Sequence, residues 1–278
     1  MEIIKSSGEK EAFSREKFCS SLEKTGATRD VVEAVCKAVE KTLTPGITTS
    51  EIFRTASQHL LKENPKIGIR YNLKKGIMEL GPAGFRFEQY VEAIVRSLGY
   101  ETQRDIIMQG ECVSHEIDVL AHKGDLHYLM EMKYRNDLGT KTGIEVAMYA
   151  YARLLDIIPI QEKREQEKKE HRMWIVTNAK FTGKAIQFGE CRKIKMTGWS
   201  YPKGHENLES IARDNLLYPV TVLPSVDHFS REAFARFNMI LAQDIIPYTP
   251  EELEKEFGIH RKKAEQIVRD AELLIKGD

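Results

Sequence analysis

Two carboxylates and one amine lie in the most strand-like part of the chain. Asp118 belongs to the segment HEIDVLAH, and Glu131 and Lys133 belong to LHYLMEMKYR, with a Lys-Gly-Asp turn at 123–125 between the two segments. Strand side chains alternate between faces, so Glu131 and Lys133 share one face. If the segments pair as a hairpin with coinciding polar faces, Asp118 joins them. We therefore predict that these three side chains converge.

Such a set is suited to a hard divalent cation. Two carboxylates a few ångströms apart repel each other, and Mg²⁺ or Mn²⁺ relieves this repulsion while keeping several waters. A metal-bound water can attack a phosphodiester, and a nearby ammonium can orient that water or neutralise the phosphate. Metal-assisted phosphodiester hydrolysis fits better than acyl transfer, because the chain has no GxSxG motif. A surface ion pair on a hairpin is the alternative.

Glu88 is a further candidate for the metal site. The apolar residues of GFRFEQYVEAIVRSLGY form a stripe along one side of a predicted helix, and Glu88 lies at the edge of that stripe. It either supports the cation or is an exposed helix glutamate. Arg135 and Lys141 are candidate phosphate contacts, whereas Asp105 is predicted to lie in an ordinary strand edge. The three histidines near the turn have no convincing zinc spacing; they are His115, His122 and His127.

The middle of the chain, from about 85 to 200, resembles the Mrr-type branch of the restriction-endonuclease-like superfamily. Asp118 followed by Glu131-x-Lys133 matches the Asp…Glu-x-Lys signature, and TNAKFTGKA at 177–185 resembles the element that follows the catalytic strands. The resemblance implies a mixed sheet flanked by helices, with Asp118 and Glu131 as metal ligands, Glu88 as their support and Lys133 positioning the water.

The N-terminal block resembles an ATP cone, a regulatory nucleotide-binding domain. The residues that match this family are Lys5, Gly8, Phe13, Lys17, Tyr71, Lys74 and Lys75. Several ammonium groups and a tight glycine turn suit a triphosphate. The chain has no GxxxxGK[ST], so we expect ATP or dATP to be an effector and not a fuel. A helical domain with ordinary surface lysines is the alternative.

The C-terminal block is similar to a helix-hairpin-helix element. Phe257-Gly258-Ile259 would be the hairpin, and Thr249, Pro250 and Glu252 predict a capping box before the first helix. Backbone amides at such a hairpin, with Lys262 and Lys263, can hold a phosphate without reading bases. A helical pair that only packs on its neighbours is the alternative.

Composition limits the class of protein and little else. The 278 residues carry 42 basic and 42 acidic side chains and no apolar run that approaches 18 residues. We predict a cytoplasmic protein without a membrane segment, in which the four scattered cysteines stay unpaired. The charged run at 161–172 predicts a solvated helix end or loop, or else a nucleic-acid contact.

These observations predict a multidomain protein of α+β and α/β class. The expected parts are a helical ATP-cone-like domain at 1–82, a restriction-endonuclease-like domain at 83–224 and a C-terminal helical region at 225–278. The leading hypothesis is a Mg²⁺-dependent DNA endonuclease that responds to ATP or dATP and forms a homodimer to cut both strands. A nucleotide-sensing DNA-binding regulator and an RNA- or junction-specific nuclease are the alternatives.

Overall fold

The computed structural model describes residues 1–81, 85–164 and 169–276 and divides into two compact units. Unit 1 combines residues 1–79 and 137–139 with the chain from 218 onward, and unit 2 combines 80–136 with 140–217. Helices and a mixed sheet confirm the multidomain α+β class. The predicted boundary between 82 and 83 lies outside the described residues. The predicted C-terminal region belongs to the same unit as the N-terminal block.

The N-terminal part of unit 1 is a small hairpin followed by five helices. Its elements are β1 Glu2–Ile4, β2 Lys10–Ala12, α1 Arg15–Glu23, α2 Arg29–Glu40, α3 Thr49–Glu63, α4 Pro65–Tyr71 and α5 Leu73–Met78. Helix α2 buries the apolar stripe that its spacing predicts, and Leu22, Ile52 and Leu60 complete the core. The N-cap of α3 is Thr48. Thr48 is the last extended residue, and it forms a capping box with Glu51.

Helices α1 and α2 are joined by a disulfide between Cys19 and Cys36, with an S–S distance of 2.06 Å. The prediction of four unpaired thiols is therefore wrong for these two residues. Sequence spacing did not reveal the pair, because it is the packing of α1 on α2 that places the two Cα atoms 6.1 Å apart. Cys112 and Cys191 are free and exposed.

Unit 2 is a five-stranded mixed sheet with helices. Its elements are α6 Phe85–Ser97, β3 Glu101–Gln109, β4 Ser114–Lys123, β5 Leu126–Lys133, β6 Lys141–Thr142, α7 Ile144–Arg164, β7 Glu170–Thr177, β8 Lys180–Phe181, α8 Gly183–Cys191, β9 Lys195–Thr197 and α9 Leu208–Asp214. The strand order is β3-β4-β5-β7-β9. The first three strands are antiparallel, and β5, β7 and β9 are parallel. Strands β6 and β8 form a separate parallel pair.

Strand β5 is the central strand of the sheet, and most of its residues are buried on both faces. Tyr128, Met130 and Met132 are buried on the predicted apolar face. His127 and Leu129 are also buried, although they lie on the face predicted to be polar. The reason is α7, whose apolar residues pack in the same core cluster as Leu129. Only the stretch of this face that carries Glu131 and Lys133 stays partly open.

The opposite face of the sheet carries an aromatic cluster around one amine. The rings of Tyr100, Tyr128 and Trp174 lie 5.3–6.0 Å from one another. The Nζ atom of Lys195 lies 3.6 Å from the Trp174 ring centroid and 5.0 Å from that of Tyr128. Partial burial lowers the pKa of this amine. The cluster is a cation–π packing of β5, β7 and β9.

The chain from 218 onward returns to unit 1. It contains α10 His228–Arg236, α11 Pro250–Phe257 and α12 Arg261–Ile275, with two 3₁₀ turns before α11. The Thr221 hydroxyl donates to the Gly76 carbonyl at 2.6 Å. The predicted capping box of Thr249 and Glu252 is confirmed, and Gly258 ends α11 in the left-handed region at φ +69°. None of the helices in the described ranges is both long and apolar enough to cross a membrane.

The charged run at 161–172 is only partly visible. Helix α7 ends at Arg164, and β7 begins at Glu170. Residues 165–168 lie outside the described part of the chain, so whether the run contacts nucleic acid stays a prediction.

Candidate active site

Asp118 and Glu131 occupy opposed positions on neighbouring strands. The β4–β5 ladder ends with the pair Val119 and Met130, and Asp118 and Glu131 are the next residues of the two strands beyond that pair. Opposed residues of an antiparallel pair point to the same face. Asp118 also accepts a hydrogen bond from the backbone N–H of Met132 at 2.6 Å, which fixes the carboxylate over β5. The two carboxylates predicted to converge are thus brought to one face of the sheet.

Burial dominates the electrostatics of both groups. Burial raises the pKa of Asp118, and the Met132 N–H partly offsets it. Burial also raises the pKa of Glu131, and the Asp118 charge raises it further, while Arg153 and Lys133 lower it. The Asp118 charge thus raises the pKa of Glu131, and two carboxylates this close together favour a cation between them.

Arg153 of α7 is the counter-ion that the sequence did not reveal. Its Nη1 donates to Glu131 Oε2 at 2.7 Å and to the Glu116 carbonyl at 3.0 Å. Its guanidinium lies 4.7 Å from the Tyr149 ring centroid. The side chain is 11% exposed, so this is a largely desolvated ion pair.

Glu88 lies in the first turn of α6, beside the same cluster. Burial raises the pKa of Glu88 to about 7, and the charges of Asp118 and Asp105 contribute to the increase. Asp105 was predicted to be plain strand edge. The β3–β4 ladder pairs Arg104 with Val119 and Ile106 with Ile117, which leaves Asp105 opposite Asp118. It has a left-handed backbone, φ +52°, in the middle of the edge strand β3.

The basic candidates follow β5. Lys133 ends the strand, and its carbonyl accepts from the Thr177 hydroxyl at 2.6 Å. The backbone of Arg135 is held by the Asn178 amide through bonds of 2.8 and 2.9 Å. Lys141 is exposed on β6, in register with Lys180 of β8. Asn178 and Lys180 both belong to the TNAKFT segment. Through Asn178, this segment fixes the backbone that follows β5.

The carboxylates suit a cation that keeps most of its water. Among residues 1–81, 85–164 and 169–276, no three His, Cys, Asp or Glu side chains form a group that could hold a metal ion. Mg²⁺ needs only one or two carboxylates when waters complete its shell. Asp118 and Glu131 fit that smaller requirement, because they are opposed, half-buried and mutually repelling.

The predicted nucleotide-binding residues lie in two parts of unit 1. Lys5 and Gly8 form the β1–β2 turn, where Gly8 has φ +83°. The Lys5 ammonium pairs with Glu11 at 2.9 Å and with Glu9 at 3.5 Å. Those pairs, the hydrogen bond to Glu11 first, raise the pKa of Lys5. Lys17 is exposed on α1.

The second part is the end of α4 and the start of α5. Tyr71 stacks on Phe53 with 4.9 Å between centroids, and burial raises its pKa to about 12. Lys74 and Lys75 lie in α5, and Lys75 pairs with Glu79 at 3.6 Å. The aromatic residue thus serves the core, while the ammonium groups remain at the surface.

The C-terminal candidates lie in the first turn of α12. Lys262 is exposed, and the Lys263 ammonium lies 3.5 Å from Asp227. Ala264 and Ile267 of α12 are buried. The helical pair is formed, and its phosphate contact stays a prediction.

Two proteins match most of this chain over nearly their own full length. An uncharacterized protein of Archaeoglobus fulgidus is 36% identical over 177 residues, which is 64% of this chain and 95% of that protein. The crystal structure of AF1548, a protein of unknown function, is 34% identical with a TM-score of 0.57, and it covers 70% of this chain and 99% of its own.

A third comparison concerns the N-terminal block. Residues 1–70 match the family described as the ATP cone domain, so the predicted N-terminal domain is confirmed. The chain thus carries an ATP cone domain and belongs to the family of the Archaeoglobus fulgidus protein.

Proposed function

We propose that this chain is a divalent-metal-dependent DNA endonuclease of the restriction-endonuclease-like type. The observation that supports it most is the opposition of Asp118 and Glu131 on one face of a mixed sheet. Lys133 follows on the same face of β5, and Glu88 lies within electrostatic reach of Asp118. The Asp…Glu-x-Lys resemblance implies a metal site formed by these four residues, and their proximity supports the proposal.

Each side chain has a distinct role in this proposal. Asp118 and Glu131 would hold Mg²⁺ or Mn²⁺, which polarises a phosphate oxygen and lowers the pKa of a bound water. The Lys133 ammonium orients the attacking water and neutralises charge on the phosphate. With its pKa at about 7, Glu88 can hold or release a proton at neutral pH.

The backbone of DNA would be held by a local positive surface, since the chain as a whole has no net charge. Lys141 and Lys180 lie in register on β6 and β8, and both are exposed. Like charges placed side by side repel each other, so a phosphate between them would be stabilising. One such site cuts one strand, so the proposal includes a homodimer for double-strand cleavage.

The test is plasmid nicking with Mg²⁺ or Mn²⁺. Asp118→Asn and Lys133→Met should each lower the nicking rate by about 10²-fold or more. Glu101→Gln is the matched control, because it removes a carboxylate that is 84% exposed on the same sheet, and it should nick like wild type. Equal rates for all four proteins would refute the assignment.

We further propose that ATP or dATP is an effector of this activity, bound by the ATP cone domain. Support comes from the family match and from the glycine turn that carries Lys5. Calorimetric titration with ATP, dATP and ADP tests it. Lys17→Glu should weaken binding and Lys41→Glu, an exposed lysine at the end of α2, should not. Absence of heat with all three nucleotides would remove the effector from the proposal.

A second candidate is a nucleotide-sensing DNA-binding regulator that does not cut. The Arg153–Glu131 ion pair favours it, because Glu131 already has a cationic partner. DNA binding without nicking across Mg²⁺, Mn²⁺, Co²⁺ and Ca²⁺ would support this candidate. A panel of linear, branched and RNA substrates separates both from a junction- or RNA-specific nuclease.

A further inference from the structure

Arg153 places a permanent positive charge among the carboxylates of the candidate site. Its Nη1 bridges Glu131 Oε2 and the Glu116 carbonyl, and its charge also acts on Asp118. The Nε atom is buried without a hydrogen-bond partner among the described residues. A buried guanidinium with an unpaired N–H is costly, so a role in packing alone accounts poorly for it.

Because the Arg153 guanidinium is bound to Glu131, it would compete with any cation for that carboxylate. The carboxylate that it contacts belongs to Glu131, which would hold a divalent ion together with Asp118. Two positive charges cannot both take the full charge of one carboxylate at close range. Binding of the ion therefore weakens the Arg153–Glu131 pair and leaves the guanidinium free for another anion.

The anion that arrives together with a cation at such a site is a phosphate. A guanidinium is a planar fork that matches phosphate oxygens, and it stays charged at all accessible pH values. The centroid of the Tyr149 ring lies 4.7 Å from the guanidinium carbon of Arg153. Stacking on this ring can hold the guanidinium in place when its ion pair with Glu131 is broken.

We infer that Arg153 is a positioning residue that holds Glu131 when no metal is bound. When a divalent ion binds, Arg153 releases this carboxylate and then neutralises the substrate phosphate. This inference rests on the proposed nuclease function. It requires that removal of the guanidinium have opposite effects on two measurable quantities. Cation binding should improve, and turnover at saturating cation should fall.

The experiment measures Mn²⁺ binding by electron paramagnetic resonance without DNA and plasmid nicking over a range of Mn²⁺ concentrations. For Arg153→Gln we expect Mn²⁺ to bind about fivefold more tightly or better, because a competing ion pair is gone. The nicking rate at saturating Mn²⁺ should fall by about tenfold or more. A purely structural role would weaken both.

Two matched variants complete the design. Arg172→Gln removes an exposed guanidinium of the same unit that pairs with Glu170 at 2.6 Å, so it controls for net charge and should change Mn²⁺ affinity less than twofold. Arg153→Lys keeps the charge and loses the fork, so it should fall between wild type and Arg153→Gln in both assays. Because Arg153→Lys preserves the buried charge, it can replace Arg153→Gln in both assays if Arg153→Gln does not fold.

The outcomes separate the inference from the function on which it rests. If wild type binds no Mn²⁺ and does not nick, both fail. If wild type binds and nicks while Arg153→Gln and Arg153→Lys bind Mn²⁺ equally well or more weakly, the inference alone fails. Tighter binding with an unchanged maximal rate would overturn the phosphate role.

Discussion

Glu88 gives the sharpest quantitative test of the site's electrostatics. Its carboxyl lies half-buried in the first turn of α6, near Asp118 and Asp105. Burial first, and those two charges next, raise its pKa from the ordinary 4.5 to about 7. Near neutral pH the native protein therefore holds a proton on Glu88 that the unfolded chain releases. The matching perturbation is Glu88→Gln, which removes the titration and keeps the shape.

The sign of the effect follows from proton linkage. Below pH 4.5 the carboxyl is protonated in both states and contributes no difference. Between pH 4.5 and 7 the native state binds more protons, so the free energy of unfolding falls as pH rises. A change in pKa from 4.5 to about 7 corresponds to about 3 kcal/mol, and solvent screening of a half-exposed group reduces this to about 1–2 kcal/mol. Relative to wild type, Glu88→Gln should gain that amount between pH 4.5 and 8.

Tryptophan fluorescence is a convenient assay, because both tryptophans of the chain, Trp174 and Trp199, belong to unit 2. Denaturant unfolding followed at pH 4.5, 6 and 8 then reports on the unit that contains Glu88. Glu101→Gln, an exposed carboxyl of the same unit, should parallel wild type. If Glu88→Gln also parallels wild type, or if the Glu88 carboxyl titrates near 4.5 by ¹³C NMR, the reasoning about burial is wrong.

Three further predictions concern single features of the fold. Lys195→Met keeps the apolar stem and loses the charge over Trp174. Because burial lowers the pKa of this amine and so opposes the cation–π attraction, unit 2 should lose less than about 1 kcal/mol of stability in fluorescence-detected unfolding; a more stable variant would contradict the cation–π description. Serine at Cys19 and Cys36 should cost about 3 kcal/mol, and thiol titration of the unfolded, unreduced wild type should find two reactive thiols of four; four would contradict the disulfide. Gly258→Ala, at φ +69°, should cost about 1 kcal/mol by calorimetry, and no loss would contradict the left-handed cap.

The local parts of the fold could be predicted from the sequence. Alternation with period two places Glu131 on one strand face, and the Lys-Gly-Asp turn suggests the hairpin that sets Asp118 opposite it. The capping box at Thr249 is equally local. Each of these depends on residues within about twenty positions of one another. That Asp118 and Glu131 bind a metal stays a prediction.

The remaining parts depend on long-range packing. Arg153 reaches Glu131 because α7 crosses the sheet, and nothing in the sequence pattern of α7 indicates this contact. Asp105 looks like any polar residue of an edge strand until the ladder sets it opposite Asp118. The Cys19–Cys36 pair requires the docking of two helices. Sequence periodicity carries no information on such distances.

The interrupted path of unit 1 affects how the protein matures. Residues 1–79 leave the ribosome before unit 2, yet the helices from α10 onward that share their unit are made only after unit 2. Unit 2 can therefore complete its sheet during translation, before the segment that packs against α4 and α5 has been made. Shortened proteins that stop near 217 should keep a folded sheet and expose the surface of α4 and α5, which would make them targets for chaperones and proteases.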